Sequence, residues 1–419
     1  MCSLTYGNRI NFHSGPSLLD RLCDKTVWDQ YISKKGSIVV NEREVAHYSA
    51  LFKNECCVKI IEEISSGTHT FSIPEKKHIS KYHAGKKRTV YTFKEEEMLA
   101  LRVLTFLLYK YDYLFSDSLY SFRSGYGVRD AINKLRFTKD IEKMYGFKVD
   151  IHNYFNSIDV GILLNDIRST FDDTRLVDLF EKLLDNRKAL YKGEIVEEDK
   201  GVMAGTPVSP FLANFYLRKM DEYFLKKDCI YMRYADDIIV LAEGEEKLKT
   251  LYDELVDYIK TMKLEMNPKK EQYFQPGESF NFLGFSVSKN KIDISPVTVG
   301  KIKGKIKRSS RSIRRWMLKK NAPVNGTIKA MIRTYNKKFF GPDDGELTWS
   351  RWFFPVITTD ESLREIDNYL QNRIRYIATG RFNKKNYDAV SYETMKRCGY
   401  RSLVSEYYSS LESKKRSSR

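Results

Sequence analysis

The sequence predicts an α+β fold, and three features of the chain point to it. Between about residues 146 and 290, short β-branched strands alternate with helical stretches. Ahead of them runs a long apolar segment of helical period, EEEMLALRVLTFLLYKYDYLF. Beyond residue 291 the pattern is helical and strongly basic. With 419 residues and 42% hydrophobic content, the chain can bury a substantial core in two or three packed units.

Taken in order, residues 1–70 form an N-terminal extension with helical spacing in LLDRLCDKTVWDQYI and HYSALFKNECCVKIIEEI, and no legible chemistry. Residues 71–145 open on a basic segment, KKHISKYHAGKKRTVYTF, and continue into the long apolar helix. Within 146–290, GFKVDI reads as a strand that ends at Asp150, before the turn-forming HNYFNSID. IYMRYADDIIVL reads as two strands around a tight bend. In 291–419, KIKGKIKRSSRSIRRWMLKK (301–320) carries ten basic residues and no acidic one, with Ile302, Ile306, Ile313 and Met317 on one face. SLREIDNYLQNRIRYI repeats the helical spacing, WSRWFF reads as core, and ESKKRSSR as a frayed tail.

The 72 Lys+Arg against 55 Asp+Glu give a net charge of +17, which points to a polyanionic partner, nucleic acid ahead of an acidic membrane. No stretch approaches roughly eighteen consecutive apolar residues, and MCSLTYGNRINFHSG lacks a signal-peptide pattern, so a cytoplasmic protein with no membrane partner is expected. The cysteines at 2, 23, 56, 57, 229 and 398 have no CxxC spacing and no paired His, which argues for reduced thiols rather than a zinc knuckle or disulfide framework.

Asp236 and Asp237 sit inside an apolar, β-branched run, where unpaired charge is expensive to bury. Two aspartates at a hairpin can be turn chemistry alone. A further strand-end carboxylate, Asp150, would change that if the two strands met on one sheet, because shared Mg²⁺ ions would then offset the buried charge. Two such ions could activate a 3′-hydroxyl and stabilise a leaving pyrophosphate, which is nucleotidyl transfer. Asp159 reads as a helix cap, and the pairs Asp172-Asp173 and Asp343-Asp344 as solvated loops.

Seven pieces then occur in a fixed order: GKKRTVYTF, YSFRSGYG, FKVDIHNYFNSID, GVMAGTPVSPFLANFYLRKMD, YADD, LEMNPKKE and FNFLGF. Over about residues 71–290 the chain resembles the reverse transcriptases, most closely the bacterial group II intron-like branch. The resemblance implies a right-hand polymerase: fingers at 71–145, a palm with an antiparallel sheet at 146–290, and a helical basic thumb and C-terminal region at 291–419. It makes Asp150 and Asp236 the principal ligands of two Mg²⁺ ions (Mn²⁺ as an alternative), with Asp237 alongside and the Ile151 carbonyl completing one shell. Lys81 and Arg88 would grip the triphosphate, and Lys270 would act as general acid toward pyrophosphate, with Lys269 as its competitor. Phe155 falls at the sugar-gate position, where a ring excludes a 2′-hydroxyl. Gly205 and Pro207, with Ser209 and Pro210, would pack beneath the template base and the incoming nucleotide. Arg123 and Gly125 would face the template, and Phe282, Leu283 and Gly284 would hold the primer end. Arg308, Arg311, Arg314 and Arg315 would track the nucleic-acid backbone. Many members place Gln before the glycine where this chain has Ala204, which removes one side-chain hydrogen bond near the nucleotide sugar.

No Cys- or His-rich endonuclease module is legible, and PVTVG at 296–300 only loosely echoes the VTG of retron enzymes. GTPVSPFLAN and SYETMKRCGYRSLVSEYY look similar to the defence-associated bacterial reverse transcriptases. That resemblance implies a noncoding RNA template, a DNA product or primer and dNTPs as partners, in antiphage defence. An untemplated, protein-primed polymerase of the abortive-infection type and a maturase-like RNA scaffold are the alternatives. The oligomeric state and the identity of the RNA are not legible.

Overall fold

The computed structural model describes residues 17–38, 42–80, 87–289, 291–341, 348–383 and 385–417; Lys81, Asp343 and Asp344 lie outside them. A 3-10 turn (Leu18–Cys23) leads into α1 (Lys25–Ile38), α2 (Glu42–Phe52) and α3 (Glu55–Ser66). The helical spacing of HYSALFKNECCVKII breaks at Asn54, whose side chain accepts the Cys56 N–H (2.8 Å) and caps a new helix. The basic segment folds as an antiparallel pair, β1 (Glu75–Ser80) and β2 (Lys87–Thr92), followed by α4 (Glu95–Leu108). The apolar run expected to be one helix tightens into a 3-10 turn at Tyr109–Leu114. α5 (Val128–Arg136) then buries Val128, Ala131, Ile132 and Leu135 on one face.

Next come β3 (Tyr145–Asp150), α6 (Tyr154–Ser157), α7 (Val160–Thr170) and α8 (Thr174–Leu184). Asp159 caps α7 as expected, accepting the Ile162 N–H at 2.9 Å. Asp173 is not a solvated loop residue, because it caps α8 and also accepts from Ser17 and from the Leu18 N–H (2.7 Å). The hairpin β4 (Lys188–Tyr191) and β5 (Glu194–Glu197) precedes α9 (Ser209–Tyr216), α10 (Arg218–Leu225), β6 (Ile230–Tyr234), β7 (Asp237–Ala242), α11 (Glu245–Thr261) and β8 (Gln272–Phe274).

The central sheet has the order β6-β7-β3-β8, all antiparallel. After Asp237, β7 is apolar without interruption because both of its faces are buried. Ile238, Val240 and Ala242 join a core with Phe147, Val149 and the helices α7–α11. Ile239 and Leu241 enter a second core with Met232 and the C-terminal helices. The β4–β5 hairpin leaves this sheet and pairs through β4 with β1, giving the order β2-β1-β4-β5. Residues 188–197, expected with the palm, therefore belong to the sheet of the 75–92 hairpin.

A third sheet, ordered β11-β10-β9, comprises β9 (Phe280–Phe282), β10 (Phe285–Ser288) and β11 (Lys291–Ile294). The helices α12 (Pro296–Lys320), α13 (Val324–Phe340), α14 (Trp349–Phe353) and α15 (Glu361–Thr379) follow, then α16 (Asn386–Ala389), α17 (Tyr392–Arg397) and α18 (Leu403–Ser417). α12 starts where Ser295 accepts the Thr298 N–H (3.3 Å) ahead of Pro296, and stops at Asn321 in the left-handed conformation. Val299, Ile302, Ile306, Ser310 and Met317 form its buried face, which packs against α13 and α15. Trp349 lies against Phe339 and Phe353, with ring centroids 5.7 and 4.6 Å apart, which makes it core. Among the described residues no helix is long and apolar enough to cross a membrane.

Candidate active site

Asp150 ends β3, Asp237 begins β7, and the two are register partners, so one rung of the sheet delivers both carboxylates. Asp236 stands one residue earlier, in the β6–β7 turn. One carboxylate oxygen from each of the three lies within 4.8 Å of the others. Burial, then the charges of Asp237 and Asp150, push the Asp236 pKa up to about 6. Burial raises Asp237 as well, and the charges of Lys148 and Lys270 only partly offset it. Asp150, 2% exposed, is held by an ion pair from Lys270 Nζ and by Asn267 Nδ2 at 3.3 Å. Burial pulls the Lys270 ammonium down, but the hydrogen bond and charge of Asp150 outweigh it, so its pKa is raised. Lys270 rather than Lys269 is the lysine that reaches the carboxylate.

Three clustered carboxylates, Asp150 buried and Asp236 and Asp237 half-buried, fit a divalent cation, since hard oxygen donors are the set that Mg²⁺ takes. Ile151, fully buried, donates its N–H to the Asp236 carbonyl (3.0 Å), and its own carbonyl is the group a metal role would use.

The turn that presents Asp236 is strained. Ala235 has φ +56°, a region that costs a non-glycine residue about 1–2 kcal/mol. Its N–H donates to Ser121 Oγ (2.8 Å) and its carbonyl accepts from Arg233 (3.2 Å), so both main-chain groups are anchored. Arg233 is fully buried and ion-pairs with the equally buried Asp221, which also accepts from Tyr231 Oη at 2.8 Å. The guanidinium reaches the Asn214 carbonyl (3.2 Å) too, and Asn214 is tied to Ser121 (3.1 and 2.8 Å). Strand β6, helix α9 and the 119–121 segment are thereby locked around the acidic turn.

Arg88 of β2 lies over the half-buried Phe155 ring, its guanidinium 5.7 Å from the ring centre. Gly205 has φ +110°, and a Cβ there would lie 2.9 Å from the Tyr91 carbonyl, so glycine is what lets this loop press onto β2. Ala204 is buried; its carbonyl accepts the Tyr91 N–H (2.8 Å) and its N–H meets Asn156 Oδ1 (3.4 Å). Pro207 and Gly205 face α1 and α4 across a cavity of about 390 Å³. Gly125 makes a left-handed turn (φ +82°) in open space.

Two expectations change. Arg123 does not face a template: it is buried, bonded to Asp112 (3.0–3.2 Å), to the Ser116 carbonyl (2.6 Å) and to the Leu119 carbonyl (3.2 Å), and braces its own loop. Phe282, 1% exposed, is a core residue of β9 and cannot hold a primer with its side chain. The β9–β10 turn beside it is made by Leu283 (φ +49°) and Gly284 (φ +90°). Arg308, Arg311, Arg314 and Arg315 are brought together along one cavity of α12.

A model of the family "Reverse transcriptase (RNA-dependent DNA polymerase)" matches residues 73–287, just over half of the chain. The chain belongs to the reverse transcriptase family. It is 30% identical over 172 residues to an uncharacterized 91 kDa protein in a cob intron of Schizosaccharomyces pombe, covering 39% of this chain and 20% of that protein. It is 32% identical over 106 residues to the retron Ec86 reverse transcriptase of Escherichia coli, covering 24% of this chain and 33% of the retron protein. The matches thus span about a fifth and a third of the curated relatives. Among solved structures, apo telomerase from Candida tropicalis truncated from its C-terminal domain aligns at TM-score 0.44 and 14% identity, over 54% of this chain and 55% of that one. Telomerase from Candida albicans, in complex with a fragment of telomeric RNA, aligns at TM-score 0.42 and 12% identity, over 80% and 64%.

In this reverse transcriptase-family chain the sequence pointed to the carboxylates but not to what holds them. Arg233 lies inside the same IYMRYADD run, where a cation in an apolar strand was itself a sign of a buried partner. Phe122 was also missed, although it stands beside Arg123 in SFRSGYG. It has φ +53°, is 45% exposed, and its ring lies 6.2 Å from Phe155 and 6.4 Å from Tyr234.

Proposed function

We propose that this chain is an RNA-directed DNA polymerase that copies a structured noncoding RNA into DNA, in bacterial antiphage defence. The observation that carries the polymerase role is the meeting of Asp150 and Asp237, paired on one rung of β3 and β7, with Asp236 of the adjoining turn. Two Mg²⁺ ions held there would lower the barrier to attack by a primer 3′-hydroxyl and stabilise the leaving pyrophosphate. Lys270, which ion-pairs with Asp150, would donate a proton to that leaving group. Arg88 offers its guanidinium to the triphosphate, a role shared with Lys81, which lies outside the described residues. In this view the β2-β1-β4-β5 sheet belongs to the fingers, the central sheet is the palm, and the helices from α12 onward form the thumb. The defence role rests on the resemblance of GTPVSPFLAN and the C-terminal SYETMKRCGYRSLVSEYY.

Phe155 carries the sugar discrimination in this reading. Phe155→Ala should reduce the preference for dNTPs over rNTPs, expressed as the ratio of kcat/KM values, by roughly 10–100-fold. An unchanged ratio would remove Phe155 as the gate.

Template use is tested by purifying the protein from its native locus and sequencing the RNA and DNA that accompany it. DNA complementary to one copurifying RNA supports the proposal. DNA of random or homopolymeric sequence joined to protein would replace it with untemplated synthesis, and RNA without DNA would replace it with a scaffold.

A further inference from the structure

The arginines of α12 face an aromatic platform that their sequence spacing does not announce. Arg308, Arg311, Arg314 and Arg315 line a cavity of about 680 Å³ together with Tyr376 of α15. The Tyr376 ring stacks on Phe382, with centroids 4.9 Å apart and planes 8° from parallel. Phe382 is 61% exposed, so one side of the stack is open to solvent. Arg373 lies over both rings, 4.4 Å from Tyr376 and 5.0 Å from Phe382, and is buried and fixed by Ser310 Oγ (2.7 Å). Arg314 is fixed in turn by the Ile377 carbonyl (2.7 Å). The platform is therefore held in place before any ligand arrives. α12 contributes no acidic residue to its surroundings, and Arg381 adjoins Phe382 in the chain.

An exposed ring stacked on a residue that lines a cationic cavity matches a nucleotide, with the ring taking the face of the base and the arginines its phosphates. In a duplex the base faces are already stacked on one another, and the helix would meet the arginines alone. We propose that this cavity binds an unpaired RNA nucleotide, splayed from a loop or bulge, with its base on Phe382 and its phosphates on Arg311 and Arg315. The inference rests on the proposed function only in taking the polyanion to be RNA. It gives the C-terminal region a means of telling a structured RNA from a plain duplex.

The test is fluorescence anisotropy without dNTPs, using a fully paired RNA–DNA duplex and the same duplex interrupted by a short single-stranded RNA bulge. The wild-type chain should bind the bulged probe more tightly. Phe382→Ala should weaken the bulged probe about tenfold, bringing it close to the duplex, with an unchanged salt slope, and Phe382→Trp should retain the preference. Arg311→Ala with Arg315→Ala should weaken both probes and make the salt dependence shallower. Equal wild-type affinity for the two probes, or an equal loss on both in Phe382→Ala, would overturn the site. Extension of a pre-annealed primer by the wild-type chain reports separately on the polymerase role. A chain that prefers the bulge but extends nothing would keep this site and lose that role.

Discussion

Asp236→Asn combined with Asp237→Asn should lower primer extension by roughly 10³-fold or more while leaving the chain folded. The two effects separate because these carboxylates stabilise nothing by themselves. Burial and the charge of neighbouring carboxylates, Asp237 and Asp150 on Asp236 and Asp150 on Asp237, raise both pKa values, so ionised they oppose the packing around them. Neutral, isosteric side chains remove that repulsion, and the melting temperature in metal-free buffer should hold or rise. Added Mg²⁺ should raise the melting temperature of the wild-type chain, since a ligand of the native state stabilises it, and should do so far less in the double variant. Substantial residual synthesis, or an undiminished Mg²⁺ effect, would remove these residues from metal binding.

The second large effect lies one layer deeper. Arg233→Met should destabilise the chain by about 3–5 kcal/mol, because it leaves the Asp221 carboxylate buried without its cation. Arg233→Met with Asp221→Leu should recover much of that loss, since two apolar side chains can replace a buried ion pair. Activity should not return with stability. The double variant still lacks the guanidinium bonds to the Ala235 and Asn214 carbonyls that hold the acidic turn in its strained form. Denaturant unfolding and primer extension on the same samples decide it. A shift below about 1 kcal/mol in the single variant, or restored synthesis in the double, would mean that the pair does not position the turn.

The contrast between these two layers shows what a sequence reveals. Paired aspartates inside an apolar strand violate a local rule, and the violation is visible without a structure. The strands themselves were legible because β7 is apolar on both faces and β3 ends at a turn-forming stretch. The partners of buried polar groups were not. Arg123 and Arg233 look alike on the page, yet Arg233 braces the acidic turn and Arg123, expected to face outward, braces a loop against Asp112. The apolar strand around Arg233 hints that it has a buried partner, but nothing local says which residue that is, because each partner is brought near by the fold. The same holds for the β4–β5 hairpin: the pairing of β4 with β1 crosses more than a hundred residues (Glu75 to Leu190), and no periodicity records it. Backbone strain was equally hidden. Phe122, Asn153, Met203, Ala235 and Leu283 all adopt positive φ within the quoted motifs, and none is the glycine that would announce it.

Primer extension on a heteropolymeric RNA template, with the product sequenced, tests the central claim most directly. The product should be DNA complementary to the template, dependent on Mg²⁺ and absent from the Asp236/Asp237 double variant. Product whose sequence ignores the template, or synthesis that survives loss of both aspartates, would contradict it.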